Sequence, residues 1–215
     1  MTRIFYICAL AAIALVALAT IVGLSLGDLQ ATLREIQSLE IEQEKLAGVG
    51  QGSSNPQLDE LAARSKELRE IEPWARMHRL AGVAAALVVV LVYSIVVTYF
   101  IGTSRWCKEV VEAYRLPQEL SREATQIKRR AFAWALIGML WAVGLVALGA
   151  AADPATGRAG TSAWVTPHLV AAMATFVWLA WSFTTLYGHI LRQNDVIQRI
   201  MAEVRAARES RGLEV

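Results

Sequence analysis

The stretch TIVGLSLGDLQATLREIQSLEIEQEKL, Thr20–Leu46, decides how the chain folds. The residues before Gly27 carry no charge, those after it are rich in charge, and neither a proline nor a turn cluster separates the two parts. Leucine and isoleucine continue across the change at steps of three and four, which keeps one side of a helix apolar. The stretch therefore predicts a single helix that leaves an apolar solvent and continues into water.

Four windows of the chain contain no Asp, Glu, Lys or Arg. Each is long enough for the roughly 20 residues that cross a bilayer core, and a helix satisfies its own backbone groups there. The first window exceeds the apolar core of a signal peptide, which is about 7–15 residues, so we interpret it as an uncleaved membrane helix. The windows predict an all-α, integral membrane four-helix bundle. They are Ile4–Gly27, Leu80–Ser104, Ala131–Ala152 and Ala159–Leu191.

A helical hairpin is expected between the first two membrane helices. The segment Ala47–Pro56 is rich in Gly, Ser, Asn and Pro, which is typical of a turn. Arms of similar length flank it, and Pro73 is expected to bend the second arm because proline removes a helical hydrogen bond. Apolar side chains at helical spacing predict the interface between the antiparallel arms. They are Leu29, Leu33 and Ile36 on the first arm and Leu58, Leu61 and Leu68 on the second.

The distribution of basic residues predicts the orientation. Seven Lys and Arg fall between residues 103 and 130 and five follow Leu191, whereas the loop after the third window has one. Because basic loops stay in the cytoplasm, both termini are placed there, in a bacterial inner (plasma) membrane. Trp106, Val110 and Tyr114 predict a short amphipathic helix on the inner leaflet. The expected order is membrane helix 1 over 1–27, extracytoplasmic hairpin 28–79, membrane helix 2 over 80–102, cytoplasmic amphipathic loop 103–130, membrane helix 3 over 131–152, outer loop 153–165, membrane helix 4 over 166–191, and cytoplasmic helical tail 192–215.

Small residues collect toward the extracytoplasmic end of all four windows. Such rows let helices approach closely in lipid, where hydrophobicity no longer drives association. We interpret them as a tight neck that holds the hairpin arms together. One alternative is that Ala and Gly are common in membrane helices; another is that they line a pocket for a lipid, quinone or haem. The predicted helix-packing residues are Ala19, Gly23, Gly27, Gly82, Gly144 and Gly149.

Two histidines suggest one possible chemistry. His78 and His168 lie at similar depth on different helices and could both ligate a haem b, although each could also be a solvated interfacial residue. No nucleophile–base set, H-E-x-x-H motif or metal-spaced cysteine pair occurs, so neither catalytic residues nor a metal site is expected. Hydroxyl side chains inside the windows are expected to bond other helices or their own helix backbone.

These observations predict a non-enzymatic, polytopic membrane scaffold or accessory subunit without an obligatory cofactor. It would contact membrane lipid and bind a protein partner, or itself, through the hairpin and the cytoplasmic segments. The formal net charge of +2 argues against a nucleic-acid partner. The layout resembles bacterial sensor receptors in outline only, and no signalling module follows the second span, so no function is carried over from them. A sensor or signal relay without its own output domain, in which the hairpin shifts the first two membrane helices, is the second hypothesis. A redox subunit that binds haem b or a quinone is a third reading.

Overall fold

The computed structural model describes residues 2–25, 56–156 and 158–212, apart from several side chains between residues 56 and 71. Nearly all of this backbone is helical, and no strand occurs in these ranges, so the all-α class is confirmed. The predicted hairpin interface lies outside the described part, as does Gly27. The helices are α1 Thr2–Ser25, α2 Pro56–Tyr114, α3 Gln118–Ala152 and α4 Ser162–Glu209, with a 3₁₀ turn at Pro154–Thr156.

Each of the four helices is long and apolar enough to cross a membrane. Their most apolar windows have mean hydropathies of 2.7, 2.8, 2.2 and 1.7 in chain order. Large apolar side chains point away from the other helices, and Leu87 and Val177 are 65% and 71% exposed. A soluble protein rarely leaves so many such side chains in water, whereas hydrocarbon accommodates them. The four predicted spans therefore agree with the structure, which fits a membrane protein.

Helix α2 contains 59 residues and unites the second arm with the second span. Pro73 lies inside it, and the helix continues on both sides. At 1.5 Å per residue the helix is about 90 Å long, roughly three times the thickness of a bilayer core. It is therefore far longer than a bilayer core requires.

The structure corrects the predicted amphipathic helix on the inner leaflet. The segment around Trp106 is the uninterrupted end of α2, because no helix breaker precedes Leu116-Pro117. Its fully buried residues Cys107 and Val111 face the other helices instead of a membrane surface. The chain reverses only after Tyr114: Arg115 adopts a left-handed φ of 58°, and α3 begins directly after Pro117.

Consecutive helices run antiparallel, so α2 and α4 are parallel to each other. Helix α1 packs on α2 and α4, and α3 packs on the same two helices. The buried positions recur at steps of three and four, which gives each helix one continuous contact side. On α1 they are Phe5, Ala9, Ala12, Val16, Ala19 and Val22.

Beyond the apolar windows, α2, α3 and α4 continue together as a three-helix extension. Its core contains Val111, Ala124, Val196 and Ile200, each fully buried. The tail after Leu191 is thus part of α4 and packs against α3, where Arg199 Nη2 donates to Glu123 Oε2 at 2.6 Å. Charged exposed faces around an apolar core are typical of a helix bundle in water.

The extension makes the thiol of Cys107 inert. Burial raises its pKa to about 11, and Gln193 Nε2 donates to its Sγ at 3.7 Å. At pH 8 only about one thiol in a thousand would be thiolate. We expect a hydrophilic maleimide to leave Cys107 unlabelled in native, detergent-solubilised Cys8→Ser protein and to label it in SDS.

The matched control is Arg105→Cys in a chain that lacks both native cysteines. The Arg105 side chain is 80% exposed and lies two residues away, so this thiol should react within minutes. Equal labelling of the two positions in native protein would show that the extension is not packed as described.

Candidate functional site

Two histidines meet at the end of the bundle opposite the termini. His78 of α2 and His168 of α4 have ring centroids 6.2 Å apart and planes inclined by 76°. The Nδ1–H of His78 donates to the Ala19 carbonyl of α1 at 2.9 Å, which leaves its Nε2 as an acceptor. His168 Nδ1 is buried without a hydrogen-bond partner among the described residues. The structure thus brings together the two histidines that the sequence placed at equal depth.

Each of these histidines fills a gap beside a glycine on a neighbouring helix. A Cβ on Gly23 of α1 would lie 2.6 Å from His78 Cε1, and one on Gly149 of α3 would lie 3.1 Å from His168 Cε1. The Ala19 carbonyl that His78 meets comes four residues before Gly23, one helical turn away. The absence of a side chain therefore lets each imidazole reach the backbone of the adjacent helix.

Beside the pair, at the same end, Arg79 and Asp153 form an ion pair between α2 and the loop after α3. Arg79 Nη1 lies 3.5 Å from Asp153 Oδ1, and the same carboxylate oxygen accepts the backbone N–H of Ala155 at 3.0 Å. The Asp153 side chain is 18% exposed and that of Arg79 is 39% exposed. Because Arg79 follows His78 directly in the chain, this ion pair lies at the same end of the bundle as the two histidines.

In the middle of the bundle, Tyr93 of α2 contacts both α3 and α4. Its ring lies against Gly138 of α3, where an added Cβ would come within 2.1 Å of Tyr93 Cζ. Its hydroxyl lies 2.7 Å from Ser182 Oγ of α4, and the two groups share a hydrogen bond. The ring is fully buried and packs on Phe183 at a centroid distance of 5.3 Å. One side chain therefore fixes α2 against both α3 and α4.

The other hydroxyls mostly bond their own helix, as the sequence predicted. Ser94, Thr98, Thr184 and Thr185 each donate to the carbonyl four residues earlier. Thr175 does the same and also accepts the indole N–H of Trp141 from α3 at 2.9 Å. Only Ser182 and Thr175 of this set join helices. The tryptophan that Thr175 binds belongs to a cluster whose neighbouring rings are 5.2–6.4 Å apart: Trp134, Trp141, Trp178 and Trp181.

The predicted packing role is wrong for two of the glycines. A Cβ on Gly82 or Gly144 would meet nothing within 4 Å. Gly144 follows the buried Ala142 by two residues, which turns it to the outer side of α3. Ala19, Gly23 and Gly149 do lie at helix contacts, but they meet histidine rings instead of bare backbone.

Gly138 was not among the predicted packing residues, although it belongs to a buried row of small residues on α3 with Ala131, Ala135 and Ala142. The steps of three and four between these small residues were the available signal. No protein-family model, curated protein sequence or solved structure matches the chain. Interpretation of the site therefore depends on its own geometry.

Gly138 should be intolerant of any side chain. We expect Gly138→Ala to lower the free energy of unfolding by about 1–3 kcal/mol, since the added carbon overlaps a ring that has no free space to enter. Tyr93→Phe should cost less, about 0.5–1.5 kcal/mol, because only the hydrogen bond to Ser182 is lost. Unfolding in mixed micelles with increasing SDS measures both.

Gly144→Ala is the control on the same helix, six residues away, with open space around it. This substitution should leave the SDS fraction at which half of the protein is unfolded unchanged or raise it slightly, because alanine is the better helix former. Equal destabilisation by the two substitutions would mean that the Tyr93–Gly138 contact does not set the packing of α3.

Proposed function

We propose that the chain is a non-enzymatic scaffold or accessory subunit of a bacterial inner membrane. In this proposal it forms an integral four-helix bundle with both termini in the cytoplasm and an extracytoplasmic helical hairpin between α1 and α2. The single observation that carries it is the continuity of α2 from Pro56 to Tyr114. One rigid element links an arm on one side of the lipid to a packed bundle on the other.

The charges of the described helices support this orientation. The turn and helix ends around Arg115 and the end of α4 hold most of the basic residues near a span, whereas the loop after α3 holds only Arg158. The three-helix extension would then lie in the cytoplasm and the second arm outside. Exposed ion pairs on the extension, such as Arg105–Glu109 and Lys108–Glu112, give it a solvated surface.

The apolar side chains of the extension are occupied within the chain itself. Trp106, Val110 and Tyr114 pack against its core. Partner binding on the cytoplasmic side would therefore use the charged outer faces, and the second arm is the better place for an apolar contact. The end of that arm exposes Trp74 and Met77 at 53% and 49%. Tryptophan and methionine are enriched in the cores of protein interfaces.

A signal relay is a second candidate, and the same continuity favours it. A movement of the second arm along its axis would be passed through α2 to the extension, because the helix continues past Pro73 as far as Tyr114. The two functions differ in one requirement: a scaffold needs only the surface of the arm, whereas a relay needs an unbroken helix through residues 75–79. In either case the output would come from a separate partner.

Orientation is tested with single cysteines in a chain that lacks Cys8 and Cys107. Lys66→Cys on the exposed part of the second arm should react with a membrane-impermeant maleimide in intact spheroplasts. Glu112→Cys, at an exposed position on the same helix, should react only after the membrane is permeabilised. The reverse pattern would place the termini outside and contradict the proposal.

Partner binding is tested with a photo-crosslinking amino acid in place of Glu70, which is exposed on the second arm. We expect one discrete adduct, either with another membrane protein or with a second copy of the chain. Leu87 is the matched control, since it lies on the same helix and points outward within the span. Adducts of lipid alone at residue 70, with a monomer by native mass spectrometry, would contradict a scaffold role.

A further inference from the structure

An ion pair within the three-helix extension shows which residues of α3 and α4 face each other. Arg199 Nη2 of α4 donates to Glu123 Oε2 of α3 at 2.6 Å. The two helices are antiparallel, so a step forward along α3 corresponds to the same step backward along α4. Seven residues make about two turns and return to within about 20° of the same side of a helix. Positions two turns away from the ion pair on both helices therefore face each other as well.

Two turns closer to the apolar spans, both equivalent positions are arginine. Arg130 follows Glu123 by seven residues, and Arg192 precedes Arg199 by seven. Two other contacts place Arg130 on the side of α3 that faces α4. Trp134, four residues further on, packs its ring 5.2 Å from that of Trp181, and Trp141, eleven residues further on, donates its indole N–H to Thr175. Two cations thus stand where the extension has a cation and an anion.

Neither arginine is neutralised within the described part of the chain. Arg130 and Arg192 are both exposed, and neither forms an ion pair or a hydrogen bond there. The acidic residues nearest to them along α3 and α4 are already engaged, since Glu123 and Asp195 both bind Arg199 at 2.6 and 3.1 Å.

Helix α2 supplies no free anion at this level either. The hydrogen bond from Gln193 to Cys107 places the residues around 107 beside Arg192. The acidic residue of α2 nearest to Cys107 is Glu109, which binds Arg105 at 2.8 Å. Two like charges on facing positions repel each other, so an anion from outside the chain would stabilise them.

The depth of the two arginines indicates the source of that anion. They directly flank the uncharged windows, which begin at Ala131 on α3 and end at Leu191 on α4. The first charged residues beyond a span lie at the level of the lipid headgroups, where basic side chains between helices bind anionic lipids. His189, one turn before Arg192, is only 8% exposed and forms no hydrogen bond with another described residue. Its imidazole offers a further N–H donor at the same level.

We propose that Arg130 and Arg192 bind the phosphate of one anionic phospholipid between α3 and α4, at the end of the spans where the extension begins. The two guanidinium groups provide charge-assisted donors, and the acyl chains lie along the apolar outer faces of the two helices. A zwitterionic lipid is a poorer occupant, because its own cation offsets the phosphate charge. The site requires neither the proposed orientation nor a protein partner, since it uses only two helices at one membrane boundary.

Native mass spectrometry of the delipidated, full-length protein in a neutral detergent tests the proposal. We expect one phosphatidylglycerol per chain to bind at least tenfold more tightly than phosphatidylcholine with the same acyl chains. Replacement of both residues, Arg130→Gln with Arg192→Gln, should bring the two affinities within twofold of each other. Equal affinities in the parent protein would overturn the proposal.

The matched control is Arg122→Gln with Arg205→Gln, which removes two exposed positive charges from the same helices but deeper in the extension. It should keep the preference for phosphatidylglycerol. Loss of the preference in both double variants would show general attraction to positive charge and would overturn a defined site. Displacement of the lipid by an equal concentration of inorganic phosphate would also overturn it, because the site would then bind free phosphate.

Arg130→Glu decides the question if the glutamine variant does not elute like the parent protein. This substitution repeats the Glu123–Arg199 arrangement two turns away, so the new carboxylate should pair with Arg192 and take the place of the phosphate. The SDS fraction that unfolds half of the delipidated protein should stay equal or rise, while the preference for phosphatidylglycerol disappears. A variant that is as stable as the parent protein and still prefers phosphatidylglycerol tenfold would contradict the proposal.

Discussion

The seating of Tyr93 against Gly138, with its hydroxyl on Ser182, is the constraint on which the rest of the bundle depends. Lipid is as apolar as the side chains between the helices, so hydrophobicity contributes little to helix association inside a membrane. The alignment of neighbouring helices along their axes must therefore come from complementary shape and from hydrogen bonds. A buried tyrosine that fits beside a glycine and bonds a serine supplies both, and it does so for three helices at once.

That register also brings the histidines face to face. His78 precedes Tyr93 by 15 residues and His168 precedes Ser182 by 14, which is about 22 and 21 Å of helix. Because α2 and α4 run parallel, joining them at the tyrosine places the histidines at the same level. If α2 slipped along α4 by one turn, about 5.4 Å, Tyr93 would separate from Ser182 and His78 would separate from His168. The contacts of Tyr93 and the meeting of the two histidines therefore follow from the same alignment of α2 and α4.

The sequence was sufficient for the four spans and the helical class, because both follow from the length of uncharged windows. It was insufficient for contacts between helices. A soluble helix marks its buried side by hydrophobicity, but a membrane helix is apolar all round, so the direction of Gly144 could not be read from its spacing. Gly138 gained its role from a ring on another helix. The segment around Val111 was predicted to lie on the membrane surface but packs against other helices. Its sequence is amphipathic, and such a helix fits a membrane surface and a helical partner equally well.

The helices are held by different contacts, and this affects the hydrogen bond to His78. In water, burial of Val111, Val196 and Ile200 stabilises the joined ends of α2, α3 and α4 by the hydrophobic effect. Helix α1, described from Thr2 to Ser25, makes its contacts along the apolar spans. Near its start it packs Phe5 on Phe183, and near its end it accepts the hydrogen bond of His78. A shift of α1 along its axis would carry the Ala19 carbonyl away from His78. The tautomer that this bond fixes, and with it the direction of the free Nε2, would then depend on the position of α1.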